Sequence, residues 1–173
     1  MKYPGGTPTQ PEVIAVALSK LNIKPTDTFA DIGCGSGSVS IEAARLAKQV
    51  YAIDSREEAV RATTGNIREC GITNISVLKG EASLLLASLD IDCAFVGGSK
   101  NMECILDILI KRAPRFVVSA VRMETAASAL AVMRQNSAFK ELLQIQLSRG
   151  SELAGGTMLR PENPVFLIVG GSC

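Results

Sequence analysis

A glycine-rich segment lies between a strand-like run and a helical run, and its spacing suits a ligand-binding turn. Gly33, Gly35 and Gly37 are separated by Cys34 and Ser36, which gives the pattern G-x-G-x-G. The dinucleotide fingerprint would need its third glycine one position later, where this chain has a serine. Such a turn presents backbone N–H groups at the positive end of a helix. We predict that these five residues bind S-adenosylmethionine. A glycine turn that only packs a helix on a sheet would have the same pattern.

Two acidic residues are placed to hold the polar groups of such a ligand. Asp31 precedes the glycine segment at the end of the first predicted strand, and we expect it near the ligand's ammonium group. Asp54 ends the run Tyr-Ala-Ile-Asp about twenty residues past the turn, where an acid can accept hydrogen bonds from both ribose hydroxyls. Asp54 could instead cap the next helix, but Ser55 offers a rival cap. We favour the ribose contact.

Two further loops follow predicted strands and should line the same site. After the third strand, Ala82 is small enough to lie against an adenine ring. Its neighbour Glu81 could accept from the adenine amine or only stabilise the start of a short helix. After the fourth strand, the adjacent Gly97 and Gly98 let backbone approach a ligand closely, and we expect this loop to face the donor methyl. The loop lacks the Asn/Asp-Pro-Pro-aromatic motif of enzymes that methylate base amines, which argues against such acceptors.

Composition excludes several classes of partner. The 173 residues most simply form one domain, 1–173, with 47% hydrophobic and 20% charged residues. Eighteen basic and seventeen acidic residues leave a net charge of +1, and only 4% are aromatic. A nucleic-acid surface would be more basic and richer in stacking rings, so we expect a small-molecule substrate and no nucleic acid. No apolar run is long enough for a membrane span, and the first residues have no signal-peptide core.

Cysteine and histidine usage narrows the chemistry. The five cysteines are scattered without a C-x-x-C pair, which indicates reduced thiols in a cytoplasmic protein. Histidine is absent, which excludes an imidazole base, a Ser-His relay and a histidine-bound metal. We therefore predict no metal site in the protein.

Strands and helices alternate along most of the chain. Apolar periodicity and turn residues predict helices at 10–21, 38–49, 55–71, 83–87, 101–112 and 124–135. The same signals predict strands at 28–32, 50–53, 75–78, 93–96 and 116–120. Two last strands at 142–147 and 165–169 have only a Gly- and Pro-containing loop from 150 to 164 between them. The fold prediction is α/β, a Rossmann-like class I methyltransferase with a seven-stranded, mostly parallel sheet and a C-terminal antiparallel hairpin.

Several short segments resemble one enzyme family. They are Gly-Gly-Thr-Pro-Thr at 5–9, Asp-Ile-Gly-Cys-Gly-Ser-Gly at 31–37, Tyr-Ala-Ile-Asp at 51–54, Val-Gly-Gly-Ser at 96–99, Arg-Gly at 149–150, Gly-Gly-Thr-Met at 155–158 and Asn-Pro-Val at 163–165. Together they are similar to the cobalt-precorrin-6B carbon-15 methyltransferases (decarboxylating) of anaerobic cobalamin synthesis, over about 5–170. The resemblance implies methylation of a corrinoid ring carbon with loss of CO2 from a neighbouring acetate.

The resemblance also implies roles for particular residues. It brings Thr9 and Gln10 into the cofactor site, although Thr9 could simply cap a helix, and it places Thr157 in the terminal segment without a defined role. A substrate with many carboxylates needs cationic anchors, and the candidates at strand-end loops, with the backbone of Gly98, are Lys100, Arg122, Arg149 and Arg160. Each cation could equally be a solvated surface charge.

Glu124 is the candidate for steering a proton or the ring, and Ser99 lies in the loop expected to face the donor methyl; both are the catalytic candidates. Glu124 could instead be only an acid at a helix N-terminus. Family precedent implies a homo-oligomer, a tetramer, with the terminal hairpin as a contact. Two other functions stay open: a methyltransferase of the same fold acting on RNA or protein, and a non-catalytic S-adenosylmethionine-binding module.

Overall fold

The computed structural model describes residues 8–98 and 100–172. Its α-helices are α1 Pro11–Leu21, α2 Ser38–Ala44, α3 Glu57–Cys70, α4 Ala82–Leu85, α5 Met102–Arg112 and α6 Met123–Gln135, with a 3-10 turn at Leu86–Ser88. Its strands are β1 Thr28–Ile32, β2 Gln49–Asp54, β3 Ile75–Lys79, β4 Cys93–Val96, β5 Arg115–Ala120, β6 Phe139–Ile145, β7 Ser148–Leu153, β8 Gly156–Pro161 and β9 Val165–Gly170.

Seven strands form one sheet in the order β3-β2-β1-β4-β5-β9-β6. The five strands from β3 to β5 are mutually parallel, and β9 lies antiparallel between β5 and β6. The predicted fold class is therefore confirmed, including the antiparallel pair at the end of the chain. In this register Ile32 at the end of β1 is level with Ile53 in β2 and Val96 in β4. The loops after these strands consequently emerge side by side at one edge of the sheet.

Alternate side chains of the central strands enter two cores on opposite faces of the sheet. In β4, Cys93 and Phe95 join the cluster beneath α1 and α2, whereas Ala94 and Val96 join the cluster beneath α5 and α6. This two-residue period is that of a strand covered on both faces. The sheet is therefore a rigid platform, and its carboxyl edge can hold polar groups in fixed positions.

The segment after β6 differs from the prediction. Residues 150–164 were predicted as a loop, but β7 and β8 form a separate two-stranded antiparallel sheet. Ala154 and Gly155 turn the chain with φ values of 49° and 80°, as a two-residue hairpin turn requires. Both strands are largely exposed on both faces, so the sequence carries no apolar alternation that would reveal them.

The two candidate helix caps, Thr9 and Ser55, are wrong. The N-cap residues of α1 and α3 are Gln10 and Arg56, and neither makes a side-chain capping hydrogen bond. At α3 the backbone N–H of Arg56 donates instead to Oδ1 of Asp54, at 3.0 Å. The predicted second helix is also too long, because α2 ends at Ala44 and the chain needs the next four residues to reach β2.

Within residues 8–98 and 100–172, no helix combines the length and apolar character needed to cross a bilayer. Over the same ranges, no group of three or more Cys, Asp and Glu side chains is arranged to hold a metal ion. The absence of a metal site in the protein stays a prediction.

Candidate functional site

The glycine turn after β1 has the backbone conformation that its sequence indicates. Gly33, Gly35 and Gly37 have φ values of +78°, +58° and +78°, in the left-handed region that favours glycine. The N–H groups of Gly33 and Cys34 both donate to the carbonyl oxygen of Ile53, at 2.8 and 3.0 Å, which fixes the turn to β2. A Cβ atom on Gly33 would lie 2.8 Å from the backbone nitrogen of Gly98. The glycine turn and the Gly97-Gly98 loop therefore touch through backbone alone.

Asp54 at the end of β2 is buried and held by four hydrogen bonds. Arg56 donates from its backbone N–H at 3.0 Å and from Nε and Nη2 at 3.1 Å each, and the Gly35 N–H donates at 3.1 Å. Burial raises the pKa of Asp54, but the bonds from Arg56 and Gly35 outweigh burial and leave that pKa below its ordinary value. Asp54 is thus a carboxylate that faces the glycine turn.

Asp31, the second predicted acid, is enclosed beneath the turn with 1% of its surface exposed. Its Oδ2 accepts a hydrogen bond from Ser40 Oγ on α2 at 2.5 Å. Among the described residues nothing donates to Oδ1. Burial raises the pKa of Asp31 to about 7, and the Ser40 bond only partly opposes this. The ammonium contact stays a prediction, and it requires the ligand to reach an atom that is covered in this structure.

Cys34 cannot act as a nucleophile in this conformation. Its side chain is buried, and its Sγ lies 3.5 Å from Oγ1 of Thr63. Burial raises the pKa of the Cys34 thiol to about 12, so the thiolate is not formed at neutral pH.

A cavity of about 430 Å³ opens at the carboxyl ends of β1, β2 and β4, and we call it the donor cavity. It brings together five of the twelve predicted cofactor residues, from four different loops. Its lining includes Gly33, Asp54, Glu81, Ala82, Gly97, Gly98 and Lys100. Arg56 also lines it, although sequence reasoning missed that residue. The ion pair between Lys100 Nζ and Glu81 Oε2, at 3.3 Å, spans its rim.

A second cavity of about 300 Å³, the acceptor cavity, adjoins the donor cavity. The two cavities share Gly97 and Gly98 as a common wall. The other lining residues of the acceptor cavity include Thr9, Gln10, Arg122, Thr125, Glu162 and Asn163. Thr9 and Gln10, predicted beside the cofactor, therefore line this neighbouring cavity. A smaller neighbouring cavity of about 300 Å³ shares Arg122 and Thr125 with the acceptor cavity and is also lined by Glu124.

Arg149 on β7 joins the hairpin to the edge of the acceptor cavity. Its guanidinium lies 3.0 Å from each carboxylate oxygen of Glu12 and 3.4 Å from Oε1 of Glu162. Gln10 contacts both Arg149 and Glu162 at 3.3 Å. This predicted substrate anchor is therefore paired with two acids, Glu12 and Glu162. Sequence reasoning missed both acids as partners of Arg149.

The remaining predicted residues fall outside these clusters. Arg160 is the cross-strand neighbour of Arg149 in the hairpin, and Thr157 is the neighbour of Glu152. Ser99 lies outside the described residues. A further cavity of about 940 Å³ is a groove between α1 and α2 that shares only residues 8–10 with the acceptor cavity. Its lining comes mainly from those two helices, so its size does not make it the site of the predicted chemistry.

The sheet order, the glycine turn and the paired cavities define the fold of a class I methyltransferase. The chain belongs to the family of the precorrin methyltransferase domain, whose model matches residues 4–170. It is 52% identical over 172 residues to the probable cobalt-precorrin-6B C(15)-methyltransferase (decarboxylating) of Methanosarcina acetivorans, covering 95% of this chain and 94% of that protein.

Two solved structures are similar over nearly the whole chain. The precorrin-8W decarboxylase of Methanobacterium thermoautotrophicum is 34% identical with a TM-score of 0.91, covering 98% of this chain and 94% of that one. The C-terminal domain of the precorrin-6Y C5,15-methyltransferase of Rhodobacter capsulatus is 25% identical with a TM-score of 0.83, covering 98% and 93%. The resemblance inferred from the short segments is thereby confirmed.

Proposed function

We propose that this protein transfers a methyl group from S-adenosylmethionine to carbon 15 of the corrinoid ring of cobalt-precorrin-6B and removes the carbon-12 acetate carboxyl as CO2. The observation that carries the proposal is the common wall of two adjacent cavities. Gly97 and Gly98 line both the donor and the acceptor cavity, so a donor methyl and an acceptor carbon can meet where no side chain intervenes.

In this proposal the cofactor is bound in the donor cavity by the side chains and backbone groups of the loops after β1, β2 and β3. Asp54 accepts from the ribose hydroxyls, and the glycine turn, residues 33–37, lies against the amino-acid end, where the N–H of Ser36 is directed at its carboxylate. Ala82 packs against the adenine, with Glu81 at its polar edge. Asp31 would balance the ammonium group from beneath the turn, where a nearby cation would lower the pKa of its carboxyl.

The protein contributes to the reaction mainly by positioning the methyl donor and the acceptor carbon. S-adenosylmethionine supplies an electrophilic methyl group, and the conjugated macrocycle supplies the attacking carbon and an electron sink for decarboxylation. No imidazole base is needed, which agrees with a sequence that contains no histidine. Holding two reacting carbons in line lowers the entropy cost of the transfer. Gly97 and Gly98 set that approach, and Ser99 and Glu124 are the candidates to move a proton near the ring.

The acceptor cavity admits only part of a corrinoid, and its surroundings suit the rest. A macrocycle with several carboxylated side chains exceeds a cavity of about 300 Å³, so the ring enters by one edge. Val121 and Met123 are 61% and 70% exposed beside Arg122, and they offer apolar surface to the ring. Lys100, Arg122, Arg149 and Arg160 would pair with its carboxylates. We also propose a cytoplasmic homotetramer in which the C-terminal antiparallel strands, predicted at 142–147 and 165–169, lie at a subunit contact.

The test is a turnover assay with methyl-labelled S-adenosylmethionine and cobalt-precorrin-6B, read by mass spectrometry. The expected product gains one labelled methyl group and loses one carboxyl group as CO2. Asp54→Asn should weaken cofactor binding by a few kcal/mol at most, whereas Asp90→Asn, at a fully exposed position, is the matched control. Cofactor binding without corrinoid turnover would overturn the enzyme assignment. Selective methylation of tRNA would instead establish a methyltransferase acting on RNA.

A further inference from the structure

Helix α3 turns two buried polar side chains towards the glycine turn. Thr63 and Asn66 are fully buried and three residues apart, which places them on the same face of the helix. Thr63 Oγ1 donates to the carbonyl oxygen of Gly35 at 3.0 Å, and Asn66 Nδ2 donates to that of Ser36 at 2.8 Å. Two consecutive carbonyl groups of the turn are thus anchored to one helix by side chains rather than by backbone.

These two bonds determine which way the peptide units of the turn face. In a trans peptide the C=O and the N–H point in opposite directions. Because the Gly35 carbonyl is directed at α3, the N–H of Ser36 is directed away from the helix. Because Thr63 and Asn66 are excluded from water, rotating either peptide unit would leave a buried donor without its acceptor.

Close packing reinforces the same contact. A Cβ atom on Gly37 would lie 2.8 Å from Cγ2 and 3.2 Å from Oγ1 of Thr63. The last glycine of the pattern therefore makes room for Thr63 as well as permitting a φ of +78°. The side chain on α3 and the glycine in the turn fit together as one unit.

We propose that Thr63 and Asn66 are positioning residues that hold the peptide groups of the glycine turn in the orientation that binds the cofactor. They act through the backbone of Gly35 and Ser36 without touching the ligand. The inference rests on the proposed binding of S-adenosylmethionine at this turn. It adds to that proposal by assigning part of the binding energy to a helix face outside the cavity.

The experiment compares the neighbouring variants Thr63→Val and Thr64→Val by calorimetry with S-adenosylmethionine and S-adenosylhomocysteine. Thr64 is a matched control, because its hydroxyl donates to the Val60 carbonyl within α3, at an exposed position. We expect Thr63→Val to raise the dissociation constant about tenfold, as for one lost hydrogen bond that leaves a buried group unpaired. Thr64→Val should bind as the wild type does.

Steady-state kinetics and conservative variants separate positioning from a merely structural role. The KM for S-adenosylmethionine should rise in Thr63→Val while kcat changes less, and Thr63→Ser should restore affinity because it keeps the hydroxyl. If Thr63→Val does not fold, the pair Thr63→Ser and Thr63→Ala makes the same comparison, because they differ by one hydroxyl group.

The two levels of failure are distinguishable. A wild-type protein that binds neither ligand would overturn the proposed function. A wild-type protein that binds, together with a Thr63→Val or Thr63→Ala variant of equal affinity, would overturn only this inference. Equal losses in Thr63→Val and Thr64→Val would overturn it too, because the effect would then belong to the helix as a whole.

Discussion

The guanidinium group of Arg56 donates a hydrogen bond to each carboxylate oxygen of Asp54, from Nε to Oδ1 and from Nη2 to Oδ2, both at 3.1 Å. Asp54 is the residue that we propose for the ribose hydroxyls, so Arg56 lies where those hydroxyls would donate. Arg56 and Gly35 together occupy all of the roughly four lone-pair sites of this carboxylate. Arg56 therefore keeps Asp54 ionised, and its guanidinium group has to move aside before ribose hydroxyls can donate to Asp54.

Arg56→Gln should raise the pKa of Asp54, because burial then acts on a carboxylate that has lost its cation. In the wild type this pKa is lowered, so the stabilisation is present above the unfolded value near 3.9 and disappears as the pH falls through the folded value. We expect Arg56→Gln to reduce the free energy of unfolding by about 1 kcal/mol at neutral pH, allowing for the partly exposed arginine, and by less in acid. Urea unfolding across pH and carboxyl NMR titration measure both effects.

The control for that variant is Arg61→Gln on the same helix. Arg61 lies 4.0 Å from Glu57 in an exposed pair one turn away, and surface pairs of this kind contribute little. Identical pH profiles for the two variants would mean that Arg56 does not set the ionisation of Asp54.

Asp31→Asn should raise the free energy of unfolding relative to the wild type as the pH rises, whereas Arg56→Gln should lower it. The wild-type carboxyl has a pKa of about 7 in the folded state. Between about pH 4 and pH 7 the folded state therefore binds the extra proton, and stability falls as the pH rises. Asparagine cannot ionise. The difference in unfolding free energy between the variant and the wild type should therefore shift in favour of the variant by on the order of 3 kcal/mol from pH 4 to pH 8. Urea unfolding of the ligand-free proteins at both pH values measures this, and parallel curves would show that Asp31 ionises normally.

Gly33→Ala should be more disruptive than Gly71→Ala, although both glycines have positive φ. At Gly71 the space around a new Cβ is open, so left-handed strain alone costs about 1 kcal/mol. At Gly33 the Cβ would meet the Gly98 backbone, which adds about 1–3 kcal/mol of overpacking. Unfolding free energies should rank the variants in that order, and only Gly33→Ala should lose cofactor affinity. Equal losses of unfolding free energy in the two variants would show that the glycine turn and the Gly97-Gly98 loop can move apart at little cost.

Arg149→Met should raise the KM for the corrinoid with little change in kcat, because a substrate anchor holds the acceptor without joining the reaction. Glu12→Gln should lower that KM or leave it unchanged, since it removes a carboxylate that competes for Arg149. Raising the salt concentration should reduce the difference in corrinoid KM between Arg149→Met and the wild type. The control is Arg112→Met, which alters an exposed arginine paired with Asp90. Equal KM values for Arg149→Met and Arg112→Met would show that Arg149 is a surface charge.

The elements nearest the site could be predicted best from sequence. The bounds of β1 and β4 match the predictions because each is a short, mostly apolar run that is followed directly by a glycine. The separate hairpin could not be predicted, because Ser148–Leu153 and Gly156–Pro161 are exposed on both faces and need no apolar alternation. Helix α2 was predicted too long because Arg45–Lys48 has helix-forming residues, while the sheet requires an early end.

The residue types of the site could be predicted, but many of their partners could not. Sequence spacing placed Asp54 at the end of a strand, yet the side-chain conformation that brings Arg56 onto it depends on the packed structure. Arg149 and Glu12 are separated by 137 positions in the chain, so only the folded hairpin brings them together. Thr63 and Asn66 are polar residues on a helix, and nothing in their spacing distinguished the buried face from the solvated one.

The position of β9 has a consequence for how the chain is made. It lies between β5 and β6 in the sheet but follows both of them along the chain. During synthesis β5 therefore has an open edge, and β6 has no partner in the sheet, until the ribosome has released residues 165–170. Unpaired edges of this kind recruit other strands and promote aggregation. A nascent chain that ends before β9 would carry the loops of the donor cavity on a sheet that still has unpaired strand edges.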